Sequence, residues 1–164
     1  MTTRTLVILR HAKAANPEGV PDADRPLTDR GHADAAAAGA WLLHSGLVPD
    51  LVLCSPARRT RQTWHGVALA LPTAPQVRYE EPIYGAPVRT LLATVRAAAE
   101  EATTVLLIGH NPGLSELCAL FDPQHADTEG LRTAGIAVHT LIGAWTDFGN
   151  STAPLSTIHT ARAD

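Results

Sequence analysis

A chain of 164 residues that is 45% hydrophobic has enough apolar material for a full core in one domain spanning residues 1–164, with no need of a second. Its net charge of -3, with 13 Lys and Arg, excludes the broad basic surface that nucleic acid or an anionic membrane requires. No apolar run approaches the ~20 residues of a membrane span, and no charged-then-apolar leader opens the chain, so a cytoplasmic protein is expected.

Thr5-Leu6-Val7-Ile8-Leu9 is apolar and β-branched without alternation, the pattern of a strand buried on both faces of an α/β sheet. It ends in Arg10-His11 instead of a Gly or Pro turn. Ala14 to Asp24 is a Pro, Gly and Asp-rich loop expected to arch over a pocket rim. Thr28 caps a helix that runs through the alanine-rich stretch to Leu43 and stops at Gly46. Leu51 to Cys54 is a second apolar strand. Ser55-Pro56 then predicts a helix start, a hydroxyl cap followed by proline at the first helical position.

That helix carries Arg58, Arg59, Arg61 and Gln62, and neighbouring residues on it point about 100° apart, so the three arginines cannot all face one anion. Gln76 to Tyr79 is a short strand, and Pro87 opens a helix to about Glu101. Thr104 to Ile108 is a third apolar strand, running into Gly109-His110. Asn111-Pro112 repeats the cap-then-proline start, which predicts a helix N-terminus with unpaired N–H groups behind His110, ending near Phe121. After a polar loop from Asp122 to Glu129, Ala134 to Leu141 reads as a strand antiparallel to the rest or at an edge. Pro154 to His159 reads as a final strand. Cys54 and Cys118 lie in apolar segments, as buried free thiols of a reducing compartment do.

Three strands thus each deliver Arg or His at the carboxyl end, the edge beyond which α/β sheets bind ligands. Arg10-His11-Ala12, then Ser55-Pro56 with Arg59 and Gln62-Thr63, then Gly109-His110, occur in order and in the right strand context. With them, and with Arg25-Pro26-Leu27-Thr28, the chain resembles the histidine phosphatase superfamily, whose first motif is Arg-His-Gly, and most of all its SixA-type phosphohistidine phosphatase branch. The resemblance covers Thr5 to about Thr140. It implies a phosphoglycerate mutase-like fold: a three-layer α/β/α sandwich with a mostly parallel central sheet.

It also implies a metal-independent phosphatase in which His11 is the nucleophile and carries the phosphoryl group transiently, while Arg10, Arg59 and His110 bind the phosphoryl oxygens. The expected substrate is a phosphohistidine-bearing protein, followed by a small phosphate ester. Neither cofactor nor metal is called for, and the oligomeric state is left open. Relatives acting on sugar phosphates use a carboxylic acid to protonate the leaving oxygen, and Glu81 is the local candidate, weighed equally as a plain loop carboxylate. Imidazole, with a pKa of about 6.5, leaves without such help. Lys13 and Asn16 either touch phosphate or merely flank the first loop. His32 has no motif support, and His44, His65, His125, His139 and His159 have no metal-ligand spacing. A non-catalytic phosphate-binding protein with the same pocket is the rival of a different class.

Overall fold

The computed structural model describes residues 2–164. Strand β1 (Thr3–Arg10) lies inside a six-stranded sheet of order β3-β2-β4-β1-β5-β6, with β2 at Leu51–Cys54, β3 at Gln76–Tyr79, β4 at Thr104–Gly109, β5 at Gly135–Ile142 and β6 at Leu155–Thr160. Strands β3, β2, β4 and β1 run parallel, β5 is antiparallel to β1, and β6 is antiparallel to β5. The sheet is mixed but mostly parallel, as expected. The antiparallel β5 is an interior strand, with β6 forming the edge.

The unalternating apolar run of β1 has a direct cause. Leu6 and Ile8 enter one core and Val7 and Leu9 another, because successive side chains project to opposite faces and both faces are covered. Helices α1 (Asp29–His44) and α2 (Arg58–Ala68) cover the face of Val7 and Leu9 through Ala35, Ala38, Leu42, Trp64 and Val67. Helices α3 (Val88–Arg96) and α4 (Gly113–Phe121) cover the other through Leu91, Val95, Leu114, Leu117 and Phe121. These are the three layers of an α/β/α sandwich. The close approach of α1 to α2 depends on glycine: a Cβ on Gly39 would stand 2.4 Å from the Val67 carbonyl oxygen, and one on Gly66 2.6 Å from the Ala35 Cβ.

Local signals fared unevenly. Thr28 is the cap of α1, its hydroxyl accepting from Gly31 N–H at 3.0 Å. Helix α2, however, starts at Arg58 with Ala57 as the capping position, so Ser55-Pro56 is not the helix start. Helix α3 ends at Arg96, short of Glu101. Beyond Val95 its apolar face runs out, Glu100 and Glu101 are exposed, and the chain has to turn to enter β4 beside Thr5. Among the described residues no helix is long and apolar enough to cross a membrane.

Candidate active site

The carboxyl ends of β1, β2 and β4 lie side by side, with Arg10 in register with Gly109 and Cys54 with Ile108. Arg10, His11, Ser55 and His110 therefore leave the sheet at one edge, and α2 brings Arg59 to them from its first turn. The ring centroids of His11 and His110 are 5.4 Å apart. His11 is only 8% exposed and Arg59 6%.

The backbone around His11 is fixed from several directions. Its N–H donates to the Gly109 carbonyl at 3.1 Å, and the Ala134 N–H reaches the carbonyls of Arg10 and His11, each at 3.1 Å. Ala12 N–H donates to the Thr63 hydroxyl at 3.0 Å, and Leu27 N–H to the Gln62 side-chain oxygen at 2.7 Å. The Gln62-Thr63 pair thus anchors two loops of the site.

His11 Nδ1 lies 2.8 Å from the Ala12 carbonyl, an acceptor only, so that nitrogen carries the proton and Nε2 keeps its lone pair. The partner of His110 is a hydroxyl, which can both donate and accept. The Ser55 hydroxyl accepts from Ala57 N–H at 3.3 Å, and among the described residues His110 Nε2, at 2.7 Å, is the acceptor for its own buried proton. The His110 proton is then on Nδ1, which is buried without a partner. Ser55, read from sequence as a helix cap, is instead the residue that orients His110. No local pattern could have shown this, since the two residues are 55 positions apart.

Both arginines are also incompletely satisfied. Arg10 donates through one terminal nitrogen to the Leu131 carbonyl at 3.0 Å, and Arg59 donates to the Asp22 carbonyl at 2.7 Å and carboxylate at 3.1 Å. The Nε of each is buried and unpaired. Together with His110 Nδ1, these are three of the five unpartnered buried side-chain polar atoms among the described residues. Orphaned donors are costly, and three of them are concentrated at one sheet edge.

The side chains of the remaining expected residues make no hydrogen bond to this group among the described residues. Glu81 begins a short 3-10 turn, is exposed, and makes no side-chain hydrogen bond among the described residues. The same turn delivers Tyr84, whose ring meets His110 edge-on at 5.6 Å and whose hydroxyl donates to the Asp22 carboxylate. Lys13 and Asn16 are exposed. At the N-terminus of α4, Leu114 N–H donates to the His110 carbonyl and Ser115 N–H to the Asn111 side chain, so those two groups are taken within the chain. Among the described residues no three His, Cys, Asp or Glu side chains gather as a metal site.

A family model for the histidine phosphatase superfamily (branch 1) matches residues 6–86. A solved structure of a proposed phosphohistidine phosphatase SixA from Nakamurella multipartitia is 35% identical, with a TM-score of 0.85 over 98% of both chains. The chain belongs to the histidine phosphatase superfamily. It is also 37% identical over 162 residues to an uncharacterised protein of Mycobacterium tuberculosis, a match spanning 94% of this chain and all of that one. The protein histidine phosphatase SixA complexed with tungstate shares the fold at 24% identity, with a TM-score of 0.81 over 95% of this chain and 96% of that one.

In this member of the superfamily both site histidines are held neutral. Burial pushes His11 down to about 4, with Arg59, Arg10 and Arg25 adding to it against the Ala12 carbonyl. Burial, then Arg59 and His11, pushes His110 down to about 3. Their folded-state values lie below the ordinary 6.5, so between 6.5 and those values the unfolded chain binds more protons than the folded one. Stability from these groups is present above pH 6.5 and is lost as pH falls toward 4. The urea midpoint is expected to drop between pH 7 and pH 4.5, and to drop less in His11→Asn; equal drops in the two proteins would contradict the assignment.

Proposed function

We propose that the protein is a phosphatase that removes the phosphoryl group from phosphohistidine on another protein, by way of a transient phosphoryl group on His11 and without a metal ion. The observation that carries this reading is the tautomer of His11. Its Nδ1–H is tied to the Ala12 carbonyl, and its Nε2 lone pair stands beside the unpaired donors of Arg10, Arg59 and His110. Phosphoryl transfer needs little more than an aligned nucleophile and positive charge around the equatorial oxygens. His11 Nε2 attacks phosphorus, the bond to the substrate nitrogen breaks, and water then attacks phospho-His11 to release inorganic phosphate.

The substrate class is supported by the proton inventory. Glu81 is exposed and makes no side-chain hydrogen bond among the described residues, and the Asp22 carboxylate bonded to Arg59 is held down at about 2 and stays ionised at neutral pH. Its Tyr84 hydrogen bond does most of this, followed by those from Arg59 and Arg25. An alkoxide leaving group needs a proton that an ionised Asp22 does not hold, whereas an imidazole needs none at its departing nitrogen. The test is chelator-treated enzyme acting on a phosphohistidine-bearing protein, on a sugar phosphate and on an aryl phosphate. Release of phosphate from the first and the last, with the sugar phosphate slower by about 100-fold or more, is the expected outcome. Better turnover of the sugar phosphate would overturn the substrate class, and phosphate or vanadate binding without any turnover would leave a binding protein.

A further inference from the structure

The loop before α1 places one carboxylate where neither the nucleophile nor the phosphoryl-binding groups require it. Asp22 begins a short 3-10 turn (Asp22–Asp24), and its side chain is 52% exposed, in contrast to the deeply buried His11 and Arg59. Exposure does not leave it loose. Its Oδ2 accepts from Arg59 at 3.1 Å and from the Tyr84 hydroxyl at 2.5 Å, and its Oδ1 accepts from Arg25 at 3.2 Å. Three donors from three separate segments fix the group, and Oδ1, with one bond, keeps a lone pair toward solvent.

In-line displacement by a nucleophile at the floor of a site expels the leaving group toward its mouth. The half-exposed Asp22 carboxylate, bonded to Arg59 and to the Tyr84 whose ring meets His110, is a group at that mouth. We propose that the Asp22 carboxylate accepts the hydrogen bond of the distal ring N–H of the substrate's phosphohistidine, and so selects nitrogen-bound over oxygen-bound phosphoryl groups. The inference rests on the phosphohistidine reading above.

The electron count gives the carboxylate its purpose. As the His11 Nε2–phosphorus bond forms and the substrate N–P bond breaks, the bonding pair returns to the substrate's ring nitrogen. If the distal nitrogen keeps its proton, the group that departs is neutral imidazole; if it has lost it, the group is the far poorer imidazolate. An ionised carboxylate facing that N–H holds the proton in place. The same negative charge opposes the charge that develops on a departing oxygen, and a group that stays ionised has no proton to donate.

Asp22 also steadies Arg59, so loss of activity alone would not separate the roles. The readout is the ratio of kcat/KM for the free amino acid phosphohistidine to that for p-nitrophenyl phosphate, in wild type, Asp22→Asn and Tyr84→Phe, with far-UV circular dichroism confirming the fold. Asp22→Asn is expected to lower the ratio roughly tenfold or more, the scale of a hydrogen bond to a charged group, and Tyr84→Phe to lower it by less. In wild type the phosphohistidine rate should fall above the ring pKa, ~6.5 in the free imidazole, and in Asp22→Asn the fall should begin at lower pH. An unchanged ratio, with both activities falling or both rising together, would show that Asp22 acts only through Arg59 and would overturn the inference alone. A wild type that hydrolyses p-nitrophenyl phosphate but not phosphohistidine would remove the substrate reading and this inference with it.

Discussion

Replacing His11 with alanine is expected to lower kcat on phosphohistidine protein and aryl phosphate alike by about 10⁴-fold or more, the scale seen when an enzyme loses its nucleophile. The size of the effect follows from the absence of a substitute. His110 is the other imidazole at the site, but its Nε2 is engaged by Ser55 and its Nδ1 carries the proton, so it presents no lone pair to phosphorus. The Ser55 hydroxyl is fully buried and bound to the same ring. Arg10, Arg59 and the His110 N–H remain in His11→Ala, so binding of orthovanadate or inorganic phosphate should persist within a few-fold. Acid-labile ³²P on the wild-type chain during turnover, absent from the variant, would identify the intermediate. Retained turnover in His11→Ala would remove His11 as the nucleophile. Loss of turnover together with loss of anion binding would reduce His11 to a binding residue.

The second large effect belongs to Arg59. Arg59→Met keeps most of the side-chain volume and removes the guanidinium, and it is expected to lower kcat/KM by about 10²- to 10³-fold, as loss of one donor to a developing oxyanion does. Arg59→Lys should recover only part of this, because an ammonium is a point charge without the planar fork that engages two oxygens. Stability should move differently. Arg59 is 6% exposed with its Nε unpaired, so the fold carries an unsatisfied buried donor in the unliganded state. Removing it should leave the urea midpoint unchanged or raise it, and the Asp22 carboxylate left behind is half exposed and still held by Tyr84 and Arg25. A fall in stability that matched the fall in activity would mean that Arg59 is a structural strut and not a phosphoryl-binding group.

The sequence by itself determined the layers and the identity of the clustered residues. A short apolar run with no alternation requires cover on both faces, and three such runs of four or five residues, ending in Arg-His, Ser-Pro and Gly-His, put His11, Ser55 and His110 at one sheet edge once the strands are parallel. Those properties are local, since each depends on side chains a few positions apart. Local rules also placed Thr28 at the start of α1.

Only the tertiary structure decided what each polar side chain is bonded to, because those partners are far apart in the chain. Ser55-Pro56 satisfies every local criterion for a helix start, yet the Ser55 hydroxyl is taken by His110, 55 residues away, and α2 begins at Arg58. Gln62 and Thr63 read as part of a motif, but that they anchor Leu27 and Ala12 is a matter of how α2 packs beside two loops. Asp22 is one acidic residue in a loop of several until Arg59, Tyr84 and Arg25 meet it, and Glu81 stays in solvent while Tyr84, three residues on, enters the site. Side-chain hydrogen bonds depend on ångström-scale distances between separate elements, and helical or strand periodicity carries no record of those distances.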